Sequence, residues 1–159
     1  MKVRVAILLA SVALLLGCGG SDGPVGQECG PAHATVERVV DGDTIVLVGG
    51  QKVRYLGVNA PESDACFGPE AEAFNAALVV GREVGLEYDV QCRDQYDRLL
   101  AHVTLDGGSV NLTLLEQGLA CLMVIAPNVL YEDVYAQAVQ VARAYGRGIW
   151  EACEPVPCL

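Results

Sequence analysis

Positive charge is scarce in this chain. Ten Lys and Arg stand against twenty Asp and Glu, and histidine occurs only twice. Proteins that grip nucleic acid through many phosphate contacts are usually basic, because released counterions drive the binding. Any polyanion must therefore be held here by a few well-placed arginines, with weak, salt-sensitive affinity. Paired Cys-x-x-Cys spacing is also missing, which with so few histidines argues against a zinc site. No internal repeat occurs. The one long apolar run, residues 5–16, is too short for a stable spanning helix.

That run is informative for another reason. Lys2 and Arg4 precede it and Leu15-Leu16-Gly17-Cys18 closes it, the layout of a secretory signal ending in a sequence that resembles a bacterial lipobox. Residues 1–17 are thus expected as a lipoprotein signal peptide, with Cys18 lipidated and the protein exported and anchored to the cell envelope. The Gly-rich stretch that follows reads as a flexible tether over residues 18–33. Residues 34–159 remain, enough for one domain with a real core. Setting Cys18 aside leaves Cys29, Cys66, Cys92, Cys121, Cys153 and Cys158. An exported chain with six cysteines implies up to three disulfides. Their pairing stays open in the sequence; Cys66 with Cys92 is the expected pair, since each flanks a suspected functional turn.

The domain opens with three strands: residues 34–40, 44–48 and 52–58, joined by Asp41-Gly42 and Gly49-Gly50. Pro69 suits the first position of a helix over residues 69–80, with Ala71, Phe74, Ala77 and Leu78 on one face. Residues 83–92 and 99–105 read as fourth and fifth strands. A short helix follows at 110–117, then an apolar run at 119–125. The last helix spans 130–145, with Val134, Ala138, Val141 and Tyr145 at helical spacing. Trp150 is expected to pack the tail onto the core. Five short strands with interspersed helices predict an α+β fold built on a five-stranded barrel of the oligonucleotide/oligosaccharide-binding type; a generic sheet with helices on one side is the alternative.

The chemistry-bearing residues cluster in three turns. Asp43 beside Gly42 offers a carboxylate of the hard kind that calcium and magnesium prefer, though Asp-Gly also simply makes turns. Arg54 lies among apolar strand residues and needs a partner. Glu62 follows Pro61 in a turn, and Arg98 stands near Asp94 and Asp97. Each has an ordinary reading alone. In this order, Asp-Gly-Asp-Thr at 41–44, Val-Arg-x-Leu-Gly-Val-x-x-Pro-Glu at 53–62, Gly-Pro-Glu-Ala at 68–71, Asp-x-Tyr-x-Arg-x-Leu-Ala at 94–101, Gly-Leu-Ala at 118–120 and Ile-Trp at 149–150, the series resembles the staphylococcal nuclease (thermonuclease) family over residues 34–150.

The resemblance implies a five-stranded barrel with three helices and calcium-dependent hydrolysis of DNA or RNA phosphodiesters. By position it makes Asp43, Asn59 and the carbonyl of Ala60 ligands of Ca2+, with Asp41, Thr44 and Asp94 supporting from behind. Glu62 acts on the attacking water, while Arg54 and Arg98 clamp the phosphate. The chain is expected as a monomer whose partners are a nucleic-acid substrate and the membrane. Three departures stand out. Asn59 replaces a metal-binding Asp, which weakens calcium binding. Asp97 replaces a Gly beside Arg98, where it either holds that guanidinium or competes with phosphate. Residues 122–126 lack the tyrosines that stack on bases, a loss of about 1–3 kcal/mol per base. The rival readings are a non-catalytic binding module on the envelope and a structural envelope lipoprotein.

Overall fold

The computed structural model describes residues 29–158. The expected signal peptide, Cys18 and the greater part of the tether lie outside the described residues.

The first strand, β1 (His33–Asp41), is long enough to serve two neighbours. Its start pairs antiparallel with β5 (Glu83–Glu87), and its second half pairs with β2 (Thr44–Leu47). Two register shifts, between Val36 and Arg38 and between Val39 and Asp41, bend it across that change of partner. β2 continues into β3 (Lys52–Tyr55), and β5 pairs with β6 (Leu99–Leu105). Parallel pairing of β3 with β6 then closes the sheet, setting Arg54 opposite Leu100. The result is the expected five-stranded barrel, β1-β2-β3-β6-β5, with helices outside it. Val36, Ile45, Leu47, Val53, Val84, Leu86, Leu99, Ala101 and Val103 fill it. β7 (Gly108–Ser109) is a short addition to β6.

The third strand is shorter than the sequence pattern predicts. Gly57 adopts φ +75°, a backbone conformation that glycine tolerates best, and breaks the run after Tyr55. The chain leaves the barrel there as β4 (Gly57–Asn59) and pairs instead with β8 (Cys121–Met123), placing Asn59 opposite Cys121. The fourth strand also stops early, at Glu87. Beyond it, Gln91 bonds to the buried side chain of Asn128 through both its backbone groups, at 2.7 and 2.9 Å. A side-chain clamp thus replaces the ladder.

Helix α1 (Gly68–Val79) packs on β1 through Ala71, Asn75 and Val79. The polar Asn75 sits centrally because it accepts the Tyr55 hydroxyl at 3.0 Å and donates to the Asp41 carbonyl at 3.4 Å. Helix α2 (Val110–Glu116) is capped by Ser109, which accepts from the Leu112 N–H. Helix α3 (Glu132–Ala144) buries Tyr135, Ala138, Val139 and Ala142. The stripe expected from sequence is rotated: Val134, Val141 and Tyr145 are exposed. Two apolar stripes run along this helix, and the one rich in alanine lets the backbone approach its neighbours. A final turn, α4 (Ile149–Ala152), carries Trp150, which packs against the core beneath the Arg143 guanidinium, 4.1 Å above its ring.

All three disulfides differ from the expected Cys66–Cys92 pair. Cys29 joins Cys92, Cys66 joins Cys153, and Cys121 joins Cys158. The barrel puts the Cys92 loop beside the start of the domain, and the tail after α4 folds back towards β8 and the turn carrying Glu62. No described helix is long and apolar enough to cross a membrane.

Candidate active site

The β1–β2 turn supplies the acids. Asp41 accepts the Asp43 N–H at 3.0 Å, which folds the turn around Gly42 and sends the Asp43 side chain inward. One Asp43 oxygen meets Arg54 Nε at 3.0 Å and accepts the Thr44 hydroxyl at 3.1 Å; the other accepts the Ala60 N–H at 2.7 Å. Gly42 allows this because a Cβ there would lie 2.5 Å from the Ala60 methyl and 2.8 Å from that of Ala71. Burial pushes the Asp43 carboxyl up to about 6; Arg54 opposes that rise and Asp41 adds to it. The same burial lowers Arg54, against the pull of Asp43.

Arg54 is held almost completely. Besides the bond from Nε to Asp43, Nη1 donates to the carbonyls of Tyr55 at 2.7 Å and Val58 at 2.5 Å, and Nη2 donates to Asn59 Oδ1 at 3.3 Å. One N–H on Nη2 is left for a ligand. The break at Gly57 makes this possible, since it bends the chain so that carbonyls on both sides face one guanidinium. Asn59, expected as a metal ligand, thus turns its amide oxygen to Arg54.

Arg98 comes from the loop before β6. Asp94 accepts from Arg98 Nε at 2.7 Å, from the Arg98 N–H at 3.0 Å and from the Tyr96 N–H at 2.9 Å. Those bonds hold the Asp94 carboxyl below its usual range despite its burial. Asp97 does neither of the things expected of it. It adopts φ +62° and pairs with Arg93 at 3.0 Å, leaving Arg98 to Asp94. The Nη groups of Arg98 have no hydrogen-bond partner among the described residues, and the guanidinium lies over the Tyr96 ring, 5.6 Å from its centre.

Asp41, Asp43, Arg54, Asn59, Ala60, Glu62, Arg98 and Met123 line one cavity of about 220 Å³. Residues from three separate turns thus meet, as their sequence order suggests. Thr44 and Asp94 stand behind Asp43 and Arg98 respectively. Glu62 is exposed at the rim, and its carbonyl accepts the Ala65 N–H at 2.8 Å. A second cleft of about 250 Å³ adjoins through Arg54, Arg98 and Met123, and Tyr96, Gln91 and Ile125 help to line it. Met123 and Ile125 occupy the segment from which tyrosines were expected to be missing.

Among the described residues no group of three His, Cys, Asp or Glu side chains is placed to share an ion. The cavity nevertheless suits a hard divalent cation. Three carboxylates line it, those of Asp41, Asp43 and Glu62, and oxygen donors of this hard kind are what such ions prefer. Water and a substrate phosphate would complete the shell.

Three buried asparagines escaped the sequence reading. Asn75 braces the Asp41 turn, and Asn128 holds the loop before Arg98. Asn111 donates to the Leu56 carbonyl and accepts the Val103 N–H, both at 2.8 Å, which fixes the bend after Arg54. Asn75 and Asn111 fall within helical apolar stripes, the one sign in the sequence that could have exposed them.

A closed barrel with two arginines and three carboxylates around one cavity has the make-up of a site that handles an oxyanion. Residues 52–152 match the staphylococcal nuclease homologue family, and the chain belongs to it. It is 41% identical to endonuclease YncB of Bacillus subtilis over 74% of this chain and 61% of that protein. A second B. subtilis protein, the SPbeta prophage-derived endonuclease YokF, is 41% identical over 73% of this chain and 43% of its own length. The chain therefore spans less than two thirds of either. It is 32% identical to the thermonuclease of Staphylococcus intermedius over 94% of this chain and 98% of that enzyme.

Proposed function

We propose that this chain is a calcium-dependent nuclease that hydrolyses phosphodiesters of DNA or RNA. One observation carries the reading: Asp41, Asp43, Arg54, Glu62 and Arg98 converge on a single cavity, with Arg54 fixed by its partners and Glu62 free. The names of the relatives, endonuclease and thermonuclease, support it.

Asp43, Asp41 and the Ala60 carbonyl would hold the cation. When bound, it would draw charge from a phosphate oxygen and help to organise the attacking water. The chain's own groups do the rest. The open Nη2 N–H of Arg54 and the Nη groups of Arg98 donate to phosphate oxygens, and their charge favours the more negative transition state. Glu62, at the solvent rim, orients the water and takes its proton. Asp94 keeps Arg98 extended. The acidic surface opposes polyanions and two arginines neutralise few phosphates, so affinity is weak and falls with salt in proportion to those few contacts.

We place the protein at the cell envelope, anchored through Cys18, and read it as a monomer. The nuclease reading is tested by purifying the mature protein and titrating calcium against cleavage of single-stranded DNA and RNA. Cleavage in millimolar calcium that stops with chelator and with Glu62→Gln supports it. No turnover at any calcium concentration refutes it; nucleic acid retained equally well without cation then points to a binding module.

A further inference from the structure

The tail after α4 ends against the site. Cys66–Cys153 ties its start to the loop that carries Glu62, and Cys121–Cys158 ties its end to β8. Asn59 is the ladder partner of Cys121, so a residue bonded to Cys121 is necessarily brought close to Asn59. The contact follows: Asn59 Nδ2 donates to the Cys158 carbonyl at 3.4 Å. From the other end of the same amide, Oδ1 accepts from Arg54 Nη2 at 3.3 Å.

We propose that the tail is a positioning element of the phosphate clamp, acting through Asn59. An amide presents an acceptor at one end and donors at the other. With an acceptor fixed beside its NH2 end, only its oxygen can face the guanidinium. That assignment satisfies both neighbours and sets the plane in which the last open N–H of Arg54 points. The Cys121–Cys158 bond fixes the acceptor. Without it the tail holds only through Cys153, the Cys158 carbonyl is free to leave, and the amide can rotate off Arg54. Asn59 then serves as the link between tail and clamp, where its position had suggested a cation ligand.

This inference rests on the reading of the cavity as a phosphodiester site, and its test keeps the two apart. Compare wild type, Cys121→Ser/Cys158→Ser, Asn59→Leu and the triple variant, all as full chains with the other disulfides oxidised. Two quantities are read: kcat at saturating calcium and substrate, below each melting temperature, and the NMR signal of the Arg54 guanidinium. Loss of one hydrogen bond to a charged group corresponds to a fall in kcat of about 10- to 100-fold. The serine pair and Asn59→Leu should each show that fall and a broadened Arg54 signal, and the triple variant should fall no further, because both changes cut one relay. A merely structural disulfide would lower the melting temperature alone. Multiplied effects in the triple variant, or an Arg54 signal unchanged in either parent, overturn the proposal. Should the serine pair not fold, Cys158→Ser alone frees the tail end while leaving Cys121 in its buried place, and decides by the same two readouts. Should wild type not cut nucleic acid, the nuclease reading fails while the Arg54 signal still decides the relay.

Discussion

Replacing Gly42 with alanine probes the site at its tightest point. The added Cβ would sit 2.5 Å from the Ala60 methyl and 2.8 Å from that of Ala71, against about 3.5–4.0 Å for carbon atoms in comfortable contact. Neither neighbour has a flexible end to swing aside. Ala60 is held by its N–H bond to Asp43, and Ala71 lies on the buried face of α1. The turn must back away by about 1 Å, which breaks the 2.7 Å bond from Ala60 to Asp43. Overpacking contributes about 1–3 kcal/mol, and the lost bond to a buried carboxylate about 1.5–3 kcal/mol. A total near ~4 kcal/mol lowers the melting temperature on the order of 10 °C. A 1 Å shift of the catalytic groups also costs about a hundredfold in rate. Thermal melts and cleavage at saturating calcium measure both, with Gly108→Ala as the control, since its nearest neighbour is Leu105 O at 3.6 Å. Wild-type melting and turnover in Gly42→Ala would show that the close approach is not what builds this site.

Further outcomes follow from the same geometry. Asn111→Ala leaves the Leu56 carbonyl and Val103 N–H without their partner, costing about 1–3 kcal/mol for each group; a urea titration that moves less than this would deny Asn111 its bracing role. Asp94→Asn removes the charge that holds Arg98, whose own charge favours the transition state, so kcat should fall more than KM rises; steady-state kinetics in which KM alone changes would limit Arg98 to ground-state binding. Asp43 gives a pH dependence of unusual sign. Its carboxyl titrates near 6 in the fold, raised chiefly by burial, and near 3.8 when free. Its contribution to stability is therefore fully present below pH 3.8 and lost as the pH rises through 6. In chelator, wild type should lose stability relative to Asp43→Asn as the pH rises from about 4 to 6 and then run parallel to it; parallel melting curves across that window would contradict this.

The sequence was most legible where backbone chemistry leaves a local mark. Asp-Gly and Gly-Gly turns, Pro69 and the alternating strands placed the barrel and α1, and the ordered motifs gathered the site residues. What escaped depends on contacts between distant parts of the chain. Gly57 reads as one more residue in an apolar strand, and only the competing β8 shows why the strand divides there. Asn75, Asn111 and Asn128 act through backbone groups far away in sequence, so nothing beside them announces their partners. The disulfides follow the path of the tail, which no local pattern encodes. Asp97 looked like a partner for Arg98 by adjacency, but its left-handed backbone turns it to Arg93.

The parallel seam between β3 and β6 has a kinetic meaning. Val53, Arg54 and Tyr55 meet Leu99, Leu100 and Ala101 across it, and contacts so distant along the chain form late in folding. Arg54 lies within the seam and Arg98 immediately before it, so neither half of the clamp can face the other until the barrel has closed. The β1–β2–β3 hairpins can assemble early and still have no site. During refolding, recovered turnover should therefore lag the recovery of strand signal, timing the last act of barrel closure.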